Sequence, residues 1–280
     1  MITFDLEEKK KVDDNSLIIK DNLEIISHDI YTDNEQINIC PLADVHMGSI
    51  ECKEKEFKEF VKKILSMEDT YVVLVGDLCD IGLKNSLTDI YKSTMSIMDQ
   101  QIAMVDILRP LANAGRILGI TSGNHENRIS REVGMDASFI IAQALGIGHL
   151  YRPGINFIRI RINPNNPNHR WPVYNIVSTH GSGGGQTMAF INKNQNFGMT
   201  IDGADVLITG HTHKPAITVP SKMKINPHKN TVEVEPFYCV TATGWLNYGG
   251  YAIEKQFNPV SSRPQIISLN SKVKDMCVTM

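Results

Sequence analysis

The stretch Tyr71-Val72-Val73-Leu74-Val75-Gly76-Asp77-Leu78-Cys79-Asp80 constrains the fold most. Five apolar or aromatic residues in a row are too few for a helix and rich in β-branched side chains, so they predict a strand buried on both faces. The run stops at a glycine and a carboxylate, which puts Asp77 at the carboxyl end of a central strand. In open α/β sheets, ligands collect at that edge. Four other apolar stretches finish the same way: in Asp44 and His46, in Asn124 and His125, in His180, and in His211 and His213. Together they predict one polar cluster on one sheet edge.

With 280 residues, 42% of them hydrophobic, the chain can bury a full α/β core. Met1 to Lys11 is charged throughout, and no apolar run approaches the roughly 18 residues of a spanning helix. The expectation is a cytoplasmic protein with no membrane partner. Five cysteines without C-x-x-C spacing predict neither a disulfide framework nor a thiolate zinc site. Residues 1 to 140 hold 15 basic and 25 acidic side chains, and residues 141 to 280 hold 13 and 6. Bound cations would cancel part of the acidic excess, and the basic half either faces a polyanion or is an ordinary solvated surface.

Residues 1–35 read as an accessory extension, a hairpin of Leu17-Ile18-Ile19 and Leu23-Glu24-Ile25-Ile26 turning at Asp21-Asn22. Residues 36–280 are expected to form one catalytic domain. Gln36 to Leu42 is its first strand, with Pro41 awkward in a ladder. Glu54 to Met67 carries a helical apolar stripe and returns the chain to the strand Tyr71 to Gly76. One or two helices are predicted over Asn85 to Asn113, ending near Pro110, with their methionines as core filler. Then come a strand from Arg116 to Thr121, a helix from Asp136 to Leu145, paired strands near 156–162 and 174–179 with an Asn-Pro loop over Asn163 to His169, and a strand from Ala204 to Thr209. Ala216 to Leu269 reads as the second sheet of a sandwich. Gly181-Ser182-Gly183-Gly184-Gly185 can wrap an anion but lacks nucleotide-binding spacing.

Carboxylate, imidazole and amide oxygen without thiolate suit Mn, Fe, Co or Zn in a catalytic setting better than a structural zinc. Seven candidates, Asp44, His46, Asp77, Asn124, His180, His211 and His213, exceed what one ion uses and fit two. Asp77, on the middle strand, is the best bridge. Two ions about 3.5 to 4 Å apart hold a hydroxide between them and clamp a phosphoryl group for in-line attack. His125 is then free to protonate the leaving oxygen. A lone histidine at a strand end is more often an ordinary core or surface residue. The weight lies in the ordered set, and above all in Gly210-His211-Thr212-His213. His28, His149, His169 and His228 lack such context.

Asp44-Val45-His46, Gly76-Asp77-Leu78-Cys79-Asp80, Gly123-Asn124-His125-Glu126, His180 and Gly210-His211-Thr212-His213 resemble the five ordered blocks of the calcineurin-like metallophosphoesterases. The resemblance implies a four-layer α/β sandwich, two mixed β-sheets flanked by helices. It implies Asp44, His46, Asp77 and His213 around one divalent ion and Asp77, Asn124, His180 and His211 around the other. Manganese comes first among the ions implied, with Fe, Zn, Co or Ni as alternatives. Asp80 matches the carboxylate that orients His125. Protein phosphatases of the superfamily carry Arg where this chain has Ile81, so that phosphate-binding fork is missing. The blocks are more similar to phosphodiesterases and DNA-repair nucleases of the superfamily. Arg128 echoes the phosphatase branch; it either grips a substrate phosphate or pairs with Glu132 along a helix. The expected function is a metal-dependent phosphodiesterase or nuclease with DNA as a candidate partner. The alternatives are a phosphomonoesterase on a nucleotide or protein and a non-catalytic metal-binding scaffold.

Overall fold

The structure, a computed structural model, describes residues 23–83, 93–164, 171–183 and 188–280, except the Tyr251 side chain. The expected turn at Asp21-Asn22, residues 17–19, most of the Asn163–His169 loop, and residues 85–92 at the start of the expected helical region lie outside the described residues. Two six-stranded mixed sheets carry the fold. The first runs β14 (Met276–Thr279), β13 (Ile266–Asn270), β2 (Gln36–Leu42), β3 (Thr70–Val75), β4 (Ile117–Thr121), β5 (Tyr151–Arg152). The second runs β1 (Ile25–Ile30), β6 (Ile155–Ile162), β7 (Val173–Thr179), β8 (Val206–Thr209), β12 (Tyr238–Thr241), β9 (Ala216–Thr218). A separate hairpin pairs β10 (Ser221–Asn226) with β11 (Thr231–Pro236). The helices are α1 (Glu54–Ser66), α2 (Ile97–Asn113), α3 (Glu126–Val133), α4 (Ala137–Ala144), α5 (Ala189–Met199) and the short α6 (Gly250–Glu254). None of them is long and apolar enough to cross a membrane.

The central strands are apolar on both faces because each face meets a different layer. Along β3, Val72 and Leu74 pack with Phe57 and Ile64 of α1 and Met104 and Leu108 of α2. Val73 and Val75 point the other way, toward Ile158, Ile176, Val206 and Ile208 of the second sheet. On the far side of that sheet, Val177 and Leu207 pack with Phe237 and Ile201 beside α5. The order is helix, sheet, sheet, helix. Each fully buried Val, Leu or Ile in these layers contributes about 1.5–3 kcal/mol of transfer free energy.

Pro41 is tolerated for a reason visible in the ladders. Asn38 N–H donates to Asp69 O and Asp44 N–H to Gly76 O, so the even-numbered amides of β2 face β3. The odd ones face β13, whose pairing with β2 stops at Ile39. Position 41 therefore needs no donor. The second proline lies inside α2, which runs through Pro110 and ends at Asn113, the C-terminal bound of the expected helical region. Asp106, whose carbonyl the missing N–H would have met, is exposed to water, while Leu108 and Leu111 are buried. Burial on both sides outweighs the lost bond.

Three features differ from expectation. Ile25–Ile30 pairs in parallel with β6, so among the described residues this part of the N-terminal extension is an edge strand of the sandwich. The second sheet is not built from residues 216–269 alone; its middle is β6, β7 and β8, and β13 returns to the first sheet beside β2. The polar cluster therefore spans two sheet edges rather than one. The two-residue β5 occupies the free edge of β4, Ile120 opposite Tyr151, and the chain then crosses to start the second sheet.

Candidate metal centre

Every predicted site residue except Arg128, which lies in α3, sits at the carboxyl ends of these strands or in the loops that follow. β2, β3 and β4 of the first sheet deliver Asp44 and His46, Asp77, and Asn124 and His125; β7 and β8 of the second deliver His180, and His211 and His213. The two sheets present these ends side by side. His211 N–H donates to both carboxylate oxygens of Asp44, at 3.0 and 2.9 Å, tying the edges together.

Two triads of ligand atoms, each gathered within 4.8 Å, emerge: Asp44, His46 and His213, and Asp77, His180 and His211. In the first, His213 Nε2 lies 3.3 Å from Asp44 Oδ1 and 3.0 Å from His46 Nε2. In the second, His180 Nε2 lies 3.1 Å from Asp77 Oδ2, and Asn124 Oδ1 sits 3.0 Å from His180 Nε2 and 2.6 Å from His211 Nδ1. Asp77 Oδ2 is also 3.9 Å from His46 Nε2 of the first triad, between the two groups. A third triad, His46, Asp77 and His125, joins them.

The backbone here is strained. Asp44, His46, Asp77, His211 and His213 all have φ between 50° and 71°. Left-handed non-glycine residues cost of order 1 kcal/mol or more each and persist where the surroundings dictate them. Glycines provide the close approach: a Cβ on Gly76 would lie 2.6 Å from the Gly123 backbone, and one on Gly123 would lie 2.1 Å from Asp77 Oδ1.

Glu126 holds this packing, a role the sequence did not reveal. Its side chain is 1% exposed and accepts from three amides: Asp77 N at 2.9 Å and Gly123 N at 3.0 Å on one oxygen, Cys79 N at 2.9 Å on the other. Burial, and the Asp77 charge after it, push its carboxyl above the usual range. Gly244 is a second residue missed; a Cβ there would meet His213 Cβ at 2.9 Å.

Asp80 serves two imidazoles. Its Oδ1 is 3.3 Å from His125 Nδ1 and 3.4 Å from His46 Nδ1, and its backbone oxygen is 2.6 Å from His125 Nδ1. His125 Nδ1 therefore carries a proton, and Nε2 lies 4.0 Å from Asp77 Oδ2 and 2.9 Å from the Arg128 guanidinium. Arg128 also donates to Asp80 O at 3.4 Å. Ile81 is fully buried in the core and presents nothing to the site.

Buried charge shows which group the cluster fits. Asp44, Asp77, Asp80 and Glu126 are all nearly inaccessible, and Asp80 Oδ2 has no hydrogen-bond partner. Burial pushes the Asp77 carboxyl up, yet His180, His125 and His46 outweigh it and hold it well below the usual range. Burial, then the His125 charge, pushes His46 down to about 4. Burial also lowers His180, but Asp77 overrides it and lifts that imidazole to about 10. Converging oxygen and imidazole donors of this kind fit divalent cations, which would neutralise the carboxylates and take the place of the His180 proton.

The sequence matches the calcineurin-like phosphoesterase family over residues 37–215. A comparison with curated proteins finds no match. Among solved structures, a metallophosphoesterase from Sphaerobacter thermophilus is 15% identical, with 84% of each chain covered and a TM-score of 0.36. A conserved uncharacterized protein from Streptococcus pneumoniae TIGR4, described as a predicted phosphoesterase, is 10% identical, covering 87% of this chain and 88% of its own, at 0.37. The Haemophilus influenzae NAD nucleotidase is 13% identical, covering 88% of this chain and 49% of its own, at 0.40. These scores are low, and the assignment rests on the sequence match. The chain belongs to the calcineurin-like phosphoesterases, a family of metal-dependent phosphoric ester hydrolases.

Proposed function

We propose that the protein is a phosphodiesterase with a dinuclear centre, working on nucleic acid, DNA first among candidates. The observation that carries it is the pair of triads sharing one neighbourhood around Asp77. Asp44, His46, Asp77 and His213 would hold one ion, and Asp77, Asn124, His180 and His211 the other. Manganese suits the oxygen and imidazole set, with iron, zinc, cobalt or nickel as alternatives. When bound, the ions supply Lewis acidity and an activated water for attack at phosphorus.

The chain's own groups do the rest. Burial lowers the His125 pKa, but the Asp80 bond and the Asp77 charge raise it overall, and the resulting imidazolium is positioned to hand its Nε2 proton to the leaving oxygen. Asp80 fixes the His125 ring and its tautomer, and orients His46 from the same carboxylate. A diester brings one negative charge to the cluster where a monoester brings about two, and the missing guanidinium at Ile81 favours the smaller charge. Arg128, 2.9 Å from His125 Nε2, favours the second reading, a phosphomonoesterase, because it is the cation nearest the proton donor.

Manganese-loaded protein offered bis- and mono-(p-nitrophenyl) phosphate together with linear and circular DNA separates the readings. Turnover of the diester and of DNA is the expected result. Exclusive turnover of the monoester removes the nuclease reading.

A further inference from the structure

Lys193 lies outside the triads and has a different electrostatic setting from Lys224, Lys229 and Lys274. Lys224, Lys229 and Lys274 each meet a carboxylate, at 3.0, 3.1 and 2.7 Å. Lys193 has no carboxylate partner among the described residues; its ammonium donates to the Ser182 hydroxyl at 2.6 Å. A cation held by a neutral group keeps its full charge for something else.

Its position is fixed from both sides. Ser182 is two residues, at most about 7 Å of chain, from His180. Gly210 N–H donates to His180 O at 3.0 Å, and a Cβ on Gly181 would lie 3.5 Å from Thr209 Cβ, so the loop runs beside the strand end bearing His211 and His213. Lys193 is exposed on α5, whose next residue, the buried Asn194, bonds Thr209 Oγ1 at 2.9 Å and Thr241 Oγ1 at 3.3 Å. Phe190 is buried one turn earlier. The ammonium thus stands on an anchored helix at the rim of the metal centre.

We infer that Lys193, presented by Ser182, contacts a second phosphate of the substrate, next to the one being cleaved, and so selects chains of phosphodiesters over isolated esters. The inference rests on the diesterase reading above. Neither Lys193 nor Ser182 touches the ligand cluster, so their contribution falls on substrate binding rather than on the bond-breaking step. One phosphate contact of this kind also adds about one unit to the salt dependence of binding.

The test compares thymidine 5′-(p-nitrophenyl phosphate) with and without a 3′-phosphate, on wild type, Lys193→Ala, Lys193→Arg and Ser182→Ala. Wild type is expected to show a lower KM for the 3′-phosphorylated ester. Lys193→Ala should raise that KM about tenfold and leave both kcat values and the plain ester within about twofold. Lys193→Arg should keep the preference, and Ser182→Ala should weaken it. Turnover of both esters with no wild-type preference, or an equal effect of Lys193→Ala on both, overturns the inference. Turnover of neither ester removes the diesterase reading instead, and the inference with it.

Discussion

The strand-end cluster and the β10–β11 hairpin are both rich in charge, and they use it in opposite ways. At the cluster, Asp44, Asp77, Asp80 and Glu126 are buried, share imidazoles and amides, and hold several residues in left-handed backbone. On the hairpin, Lys224 meets Glu235 at 3.0 Å and Lys229 meets Glu233 at 3.1 Å, all in open water. Buried charges that lose a partner are left uncompensated, whereas solvent and salt replace an exposed partner at almost no cost. Charge count alone does not locate function; dependence of the charges on one another does.

Substitutions should separate the two regions by orders of magnitude. The largest effect is expected for Asp77→Asn, which removes the shared ligand: metal content falls and turnover drops by at least on the order of 10³-fold. His125→Ala should retain both ions while losing about 10²- to 10⁴-fold in kcat. Equal metal content and equal activity in the two variants would contradict the roles. Glu126→Ala leaves three buried amides without an acceptor, so it should lower stability by about 3 kcal/mol and weaken metal binding about 10- to 100-fold, read by thermal melts and metal titration. Normal metal affinity in a folded Glu126→Ala protein would detach that clamp from the centre.

A subtler contrast concerns protons. The raised His180 pKa means that the metal-free fold gains stability from its protonated form below the ordinary value of 6.5 and loses it as pH rises toward about 10. His46 works the other way, its neutral form favoured, with stability lost as pH falls from 6.5 toward about 4. The melting temperature of metal-free protein should therefore decline between pH 6.5 and 10, and saturating divalent metal should abolish the decline by replacing the His180 proton. A flat metal-free profile across that range would mean His180 and Asp77 are not paired. At the far end of the scale, Lys224→Ala and Lys229→Ala should leave melting temperature and turnover unchanged within error. A measurable loss there would erase the distinction between the two regions.

The sequence made the cluster legible because ligands must follow strands, and buried strands announce themselves as apolar runs. β2, β3, β4 and β8 read correctly on that ground, each ending in its site residues. α5 did not, because Asn192, Asn194, Asn196 and Gly198 are poor helix formers; Phe190 and the Asn194 bonds to Thr209 and Thr241 hold it from outside. The parallel pairing of β1 with β6 joins residues about 130 apart and leaves no local trace. Glu126 was unreadable for a related reason: a glutamate in the first turn of a helix is ordinarily solvated, and only the fold folds three loop amides over it. The left-handed φ of Asp44, His46 and Asp77 likewise has no signature, since none is glycine.

The central claim is that two cations share the ends of these two sheets with Asp77 between them. Metal content per chain, measured by elemental analysis after loading with manganese and removal of excess, tests it most directly in wild type and Asp77→Asn side by side. Two ions in the wild type and loss of metal in the variant are predicted. A single ion in the wild type, or two ions retained without the Asp77 carboxylate, would contradict the account.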